Sequence, residues 1–230
     1  MGNVGFREYL NIARPAKELI EMFRDIPAAN IDDNMNRMYS ISMDIVPFNK
    51  APLLGSAFTV KVPAGDNLMV HRALDIAEPG DIIVVDAGGC SERAICGEIM
   101  VKYAIKRGLG GFVINGCIRD ADELAALDFP VYARGVNPNG PYKNGPGEIN
   151  VAICVGGMVV MPGDILVGDG DGIVIIRQSD ALEVVKKAKA QNEKEIRDIA
   201  AINRGDFTEG GFCRDWVRAT LNSKGCQFFS

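Results

Sequence analysis

Four consecutive apolar residues, Ile82-Ile83-Val84-Val85, sit between the turn signal Pro79-Gly80-Asp81 and the stretch Asp86-Ala87-Gly88-Gly89. A run this short, with no polar alternation, fits a strand buried on both faces. Strands of that kind belong to parallel sheets whose faces are covered by other elements. The flanking segments agree. Leu54–Val62 sets Ala57, Thr59 and Lys61 against Phe58, Val60 and Val62, as a strand does. Asp66–Ala77 carries Leu68, Met69, Ala73, Leu74 and Ala77 at helical spacing. A loop through Cys96 is expected next, then a helix from about Gly97 to Arg107, closed by Gly108–Gly111. A strand Phe112–Ile114, a helical turn Asp122–Leu127 and a strand Pro130–Ala133 should follow. Strand and helix thus alternate through the middle third, the pattern of parallel βαβ units.

The flanks read differently. Pro15–Ile26 predicts an amphipathic helix, and Ala28–Met38 a second short one. Residues 135–148 are a loop rich in Gly, Pro and Asn. From Ile149 the pattern becomes short strands: Ala152–Val155, Met158–Met161, Ile165–Val167 and Ile173–Ile176. Gly156-Gly157, Pro162-Gly163-Asp164 and Gly168–Gly172 divide them, which predicts an antiparallel or barrel-like layer. Helices are expected over Ser179–Asn203 and Phe212–Ser223. No repeat, low-complexity tract or long linker interrupts the chain. The expectation is a single α/β domain over residues 1–230, ending in a helical extension from about 179 to 230.

Composition narrows the function. With 25 basic and 30 acidic residues the net charge is −5, which argues against nucleic acid as a general partner. The apolar runs are too short to span a membrane, and Met1–Leu10 lacks a signal-peptide pattern. None of the six cysteines forms a C-x-x-C pair, so reduced thiols in the cytoplasm are expected. His71 is the only histidine, which excludes a zinc site built from several histidines of one chain. Its place in the apolar pattern of Asp66–Ala77 reads as a partly buried helix residue. Chemistry should then rest on carboxylates, Arg, Lys and backbone, and any metal should be a hard cation held by oxygen.

Gly168-Asp169-Gly170-Asp171-Gly172 lacks the further ligands of a calcium loop and reads as a tight hairpin. Neither a dinucleotide nor a P-loop glycine motif is present. Asn115-Gly116-Cys117-Ile118-Arg119-Asp120 stands out because it follows the strand Phe112–Ile114 directly. An Arg-Asp pair in that place can simply cap the next helix. Two features favour function. The preceding connection opens its helix at Gly97-Glu98-Ile99-Met100, where free N–H groups and the helix dipole suit a carboxylate. Consecutive βα connections also leave the same sheet edge, so Glu98 can converge with Arg119 and Asp120. In such a cluster Arg119 would grip a carboxylate, Asp120 would anchor a divalent cation, and the amides of Gly97–Met100 would complete an anion cradle. That set suits a 2-oxo acid whose keto oxygen is polarised toward an enolate, which implies retro-aldol cleavage or decarboxylation.

The spacing itself is informative: Glu98, twenty residues, then Arg119-Asp120. With Gly65-Asp66-Asn67-Leu68, Asp86–Gly89, Phe129–Gly135 and Pro162–Gly172, it resembles the class II pyruvate aldolases of the 4-hydroxy-4-methyl-2-oxoglutarate / 4-carboxy-4-hydroxy-2-oxoadipate type. These share a fold with the regulator of ribonuclease activity A. The resemblance covers about residues 30–205. It implies a β/β/α fold like a phosphohistidine swivelling domain, assembled as a homotrimer or homohexamer with sites between subunits. It further implies that Gly97, Glu98, Ile99 and Met100 bind substrate with Arg119, and that Asp120 ligates Mg²⁺ or Mn²⁺. An acidic residue of a neighbouring subunit, with Glu195 as the candidate here, would reach that metal through water. Glu98 stands where the family often has Asp. A water placed by Glu98 and Arg119 is expected to take the substrate hydroxyl proton, since no histidine is expected nearby. Oxaloacetate decarboxylation is the expected side activity. A non-catalytic ribonuclease-binding regulator is the other reading, and the intact Arg119-Asp120 pair favours the enzyme.

Overall fold

The computed structural model describes residues 3–229. Four parallel strands form its centre: β3 (Leu53–Lys61), β4 (Asp81–Cys96), β5 (Gly111–Ile118) and β6 (Val131–Val136). β1 (Phe6–Glu8), β2 (Val46–Pro47) and β7 (Gly147–Ile149) extend the sheet, giving the order β1-β7-β3-β4-β5-β6-β2. The register runs Val60↔Val85, Val84↔Val113 and Val113↔Tyr132. Each parallel crossover carries a helix: α3 (Leu68–Ile76), α4 (Glu98–Lys106) and α5 (Ala121–Ala125). Two short helices, α1 (Lys17–Glu21) and α2 (Ala28–Asp33), precede the sheet. The hairpins β8 (Ile153–Val155) with β9 (Met158–Val160), and β10 (Ile165–Asp169) with β11 (Gly172–Ile176), follow it, and then α6 (Ala181–Asn203) and α7 (Asp215–Ser223).

Alternation along the strands sorts the core into layers. Phe58, Val60, Ile83, Val85, Phe112, Ile114 and Val131 pack with Val70 and Leu74 of α3, Val101 and Ala104 of α4, and Leu124 of α5. The residues between them face the other way. Ala57, Ile82, Val84, Val113 and Tyr132 meet Ile153, Val155, Val160, Leu166, Ile173 and Ile175 of the hairpins. The result is helices, a sheet with a parallel centre, then a hairpin layer whose β10 pairs antiparallel with β3 and so continues that sheet: the expected β/β/α order. A third cluster covers the back of β10–β11, where Phe23, Ile26 and Ile31 meet Ile165, Val174 and Ile176 with Val184 and Val185 of α6.

The chain divides into two compact units, the first ending at Ala188 and the second beginning at Lys189. Within the second unit, Ile196, Ile199 and Ile202 of α6 and Trp216 of α7 are exposed. Among the described residues no helix is long and apolar enough to cross a membrane, and the six cysteines are free thiols.

Several local expectations change. Asp86–Cys96 is strand rather than loop: β4 leaves the ladder at Gly88 and Gly89, both at positive φ, and rejoins β5 at Cys90↔Gly116, Ala94↔Cys117 and Cys96↔Ile118. α1 is shorter than Pro15–Ile26 and the chain breaks at Asp25, whose φ is 62°. α2 stops well before Met38, and Asn36 and Arg37 both take positive φ. The two Pro-Gly-Asp turns share one device. Asp81 accepts the Glu78 amide and is forked by Arg14, while Asp164 accepts the Met161 amide and pairs with Arg177. Asp169 spends its carboxylate on the Asp171 and Ala28 amides, at 2.9 Å each, so the acidic glycine loop is a hairpin turn.

Candidate active site

Parallel strands β3, β4 and β5 end at one edge of the sheet, so α3, α4 and α5 all begin there. The ladder between β4 and β5 resumes at Cys96↔Ile118, one residue before Gly97 and Arg119. The Arg119 amide donates to the Cys96 carbonyl at 3.0 Å, which fixes the two connections side by side. Asp120 then takes a left-handed backbone, φ 59° and ψ 42°, an uncommon state that Asp tolerates better than most residues. That turn brings its Oδ2 to the N-terminus of α4, where the Glu98 amide donates to it at 2.9 Å. The carboxylate thereby caps a helix whose own N-cap, Gly97, has no side chain to do so.

Gly97 is required by approach rather than by dihedral angle. Its φ of −154° suits any residue. A Cβ there would lie 2.4 Å from Asp120 Oδ2, 3.0 Å from Arg119 Cγ and 3.1 Å from Arg119 Nε. Arg119 Nε stands 3.7 Å from Asp120 Oδ2, and the two side chains are 43% and 36% exposed. Both are open to a ligand. Asp120 Oδ1 has no protein partner among the described residues.

The four residues expected to form the cradle differ in role. Glu98 gives its amide to Asp120, and its carboxylate pairs with Lys102 at 2.6 Å along the helix. The Met100 amide donates to the Gly97 carbonyl. Ile99 is 80% exposed and lines the cavity described next. Glu195 lies on α6 in the second unit, where Gln191 Nε2 donates to it at 2.9 Å.

Beside Gly97 and Arg119 opens a cavity of about 320 Å³, walled also by Asn67, His71, Met100, Gly140 and Lys143. The presence of His71 corrects the expectation that no histidine stands near the Arg-Asp pair. It is a half-buried helix residue, as its apolar neighbours suggested, but its helix starts at the same sheet edge as α4. The topological rule that joined Glu98 to Arg119 applies equally to the β3–α3 connection, and would have included Asn67 and His71. Burial first, then the Lys143 charge, hold the His71 pKa below its usual 6.5, with Asp75 opposing. The imidazole is therefore neutral at neutral pH. Asn67 Nδ2 donates to the Ile95 carbonyl at 2.9 Å, while its buried Oδ1 has no partner among the described residues.

The electrostatics favour an anion. Arg119, Lys143 and the N-termini of α3 and α4 all border the cavity. A larger cleft of about 550 Å³ lies at the opposite strand ends, between Pro15, Ile20, Leu54 and Pro79. Its buried carboxylate, Asp81, is already forked by Arg14.

Among the described residues no three His, Cys, Asp or Glu side chains gather to form a metal cage. One free carboxylate oxygen beside an open cavity does not suit zinc, which wants several protein ligands. It does suit Mg²⁺ or Mn²⁺, which keep several waters and bind through one or two carboxylates plus the substrate.

Similarity to known proteins extends over most of the chain. The family profile described as "RraA-like: Aldolase/RraA" matches residues 28–175. A protein of Halalkalibacterium halodurans named "Putative 4-hydroxy-4-methyl-2-oxoglutarate aldolase" is 40% identical over 185 residues, 80% of this chain and 88% of that protein. The crystal structure of an uncharacterised Pseudomonas syringae protein superposes with a TM-score of 0.76 at 26% identity, covering 84% of this chain and 96% of that one. Streptomyces coelicolor RraAS2, described as an unusual member of the RNase ES inhibitor RraA family, gives 0.72 at 25% identity, covering 80% and 97%.

Proposed function

The chain belongs to the RraA-like family, and on that footing we propose that it is a divalent-metal-dependent lyase. Its substrate is a 4-hydroxy-2-oxo acid of the 4-hydroxy-4-methyl-2-oxoglutarate or 4-carboxy-4-hydroxy-2-oxoadipate type, which it cleaves to pyruvate and a second carbonyl compound. The observation that carries this reading is the Arg119 guanidinium, which lines one cavity with Lys143 and His71 and stands 3.7 Å from the half-free carboxylate of Asp120. The name of the Halalkalibacterium relative supports a lyase.

The residues divide the work. Asp120 would hold the cation with the carboxylate oxygen that the Glu98 amide leaves free. A bound Mg²⁺ or Mn²⁺ supplies Lewis-acid polarisation of the substrate keto oxygen. Arg119 would grip a substrate carboxylate and stabilise the negative charge that develops as the C3–C4 bond breaks. The exposed start of α4, around Ile99, faces the pyruvate carboxylate. Lys143 faces the second carboxylate of the substrate. The hydroxyl proton leaves through a water between Glu98 and Arg119, and neutral His71 is a second acceptor on the cavity wall. Decarboxylation of oxaloacetate passes through the same pyruvate enolate, so it should be a side activity.

The test is pyruvate release from a panel of 4-hydroxy-2-oxo acids and from oxaloacetate, with Mg²⁺, Mn²⁺, Zn²⁺ or excess EDTA. Turnover restored by Mg²⁺ or Mn²⁺ and abolished by EDTA is expected. No turnover on any acid with any metal would overturn the lyase reading in favour of a non-catalytic ribonuclease-binding role. Full activity in EDTA would remove the metal.

A further inference from the structure

One wall of the cavity belongs to the loop after β6, which contributes Gly140, Pro141 and Lys143. A loop of this length holds its shape only if something outside it supplies the hydrogen bonds. Arg93, on the returning arm of β4, supplies three of them, all from one side chain. Its Nη1 donates to Asn139 Oδ1 at 3.2 Å and to the Gly140 carbonyl at 2.7 Å. Its Nη2 donates to the Tyr142 hydroxyl at 2.8 Å, and the guanidinium carbon lies 4.0 Å from the centre of the Tyr142 ring. Among the described residues Arg93 forms no ion pair, so its fork serves this one loop.

The surroundings are shaped to admit it. Gly65 has φ +75°, and a Cβ there would lie 2.8 Å from Arg93 Cδ, so the stem of Arg93 passes where only glycine leaves room. The Ala94 amide donates to the Asn139 carbonyl at 2.9 Å, and Asp66 Oδ2 accepts the Asn144 and Gly145 amides. The consequence falls inside the cavity. A Cβ on Gly140 would stand 3.6 Å from Arg119 Nη1, which places the loop backbone against the guanidinium. Lys143 is near enough to His71 to depress its pKa.

We propose that Arg93 is a positioning residue: by clamping Asn139–Tyr142 it fixes Gly140 and Lys143 as the wall that receives the part of the substrate beyond the pyruvate unit. This rests on the lyase reading above. The clamp needs a planar, multi-donor group that also stacks on an aromatic ring, and lysine offers only a point charge.

Arg93→Met and Arg93→Lys are compared with wild type on two reactions in saturating Mg²⁺ or Mn²⁺. One is cleavage of a 4-hydroxy-2-oxo diacid. The other is exchange of the methyl protons of pyruvate with D₂O, which reads the reacting unit alone because pyruvate has nothing beyond it. In both variants KM for the diacid should rise about 10-fold or more, with kcat within about threefold and methyl exchange within about twofold. A parallel loss of both reactions, an unchanged KM, or rescue by lysine would overturn the proposal. Backbone amide exchange gives a readout independent of turnover: residues 137–145 should exchange at least about 10-fold faster in each variant, and β5 at its wild-type rate. Unchanged protection of 137–145 would overturn the clamp by itself. If wild type neither cleaves nor exchanges, the lyase reading falls, and amide exchange still decides whether Arg93 holds the loop.

Discussion

Gly97→Ala is the sharpest single perturbation of the site, because it adds one carbon and asks nothing of the backbone. At φ −154° alanine has no conformational penalty. The added Cβ would begin 2.4 Å from Asp120 Oδ2 and about 3 Å from two atoms of Arg119. Against an ordinary contact of about 3.4 Å the shortfall is about 1 Å. Asp120 is the group that gives way, since its carboxylate is half exposed whereas Gly97 is held between β4 and α4. A retreat of that size breaks the bond from the Glu98 amide, the remote cap of α4. With solvent screening the loss should be about 1–2 kcal/mol. For a chain of this length that lowers Tm by roughly 2–8 °C. Activity should suffer more: a displacement of about 1 Å in the groups that hold a reacting centre costs on the order of 10²-fold in kcat/KM. Pyruvate release and a thermal melt measure the two effects together. Gly170→Ala is the control, since a Cβ there meets nothing within 4 Å in the β10–β11 turn, outside the residues that line the cavity, and should leave turnover within about threefold. Wild-type turnover in Gly97→Ala would refute the claim that Arg119 and Asp120 work from these positions.

Other outcomes follow from the same geometry. Arg119→Lys keeps the charge and loses the fork, so turnover should fall by on the order of 10²-fold or more at unchanged Tm; a value near wild type would reduce Arg119 to a structural cap. His71 has a folded-state pKa held below 6.5, chiefly by burial, so as pH falls the unfolded chain takes up the proton first. Stability in urea should therefore decline through the window just below 6.5, and His71→Asn should flatten that part of the profile; an unchanged slope would contradict the assignment. Burial pushes the Cys96 thiol up to about 12, so alkylation of the native protein, followed by mass spectrometry, should mark exposed Cys154 and Cys226 and spare Cys96 until the chain is unfolded.

The parallel centre was legible because each βαβ unit is written locally. Ile82–Val85, the helical spacing of Asp66–Ala77 and the Gly108–Gly111 stop give the first arm of β4, α3 and the end of α4 within a few residues. The returning arm of β4 was not legible. Gly88-Gly89 followed by Ser91, Glu92 and Arg93 has the composition of a loop, and only pairing with β5 makes it strand. Three-residue strands such as β1 and β7 carry too little pattern to be read, because each exists through its partner rather than its own periodicity. At the site, Gly97, Glu98, Arg119 and Asp120 were found from adjacency in topology. Their bonding was not, because the left-handed turn at Asp120 that aims its carboxylate at the Glu98 amide leaves no mark in a string of residue types. His71 was set aside on its apolar neighbours, although its helix begins at the edge that had already been singled out.

The ladder that closes at Cys96↔Ile118 has a mechanical consequence. Gly97 and Arg119 are rungs' ends on adjacent strands, not tips of independent loops. To move one past the other, β4 and β5 would have to shear along their common axis, against Val84↔Val113 and Val85↔Ile114 deep in the sheet. The spacing between the Gly97 and Arg119 backbones is therefore set by strand pairing rather than by loop conformation, and heat that parts them must first open the pairing of β4 with β5 at Cys96↔Ile118.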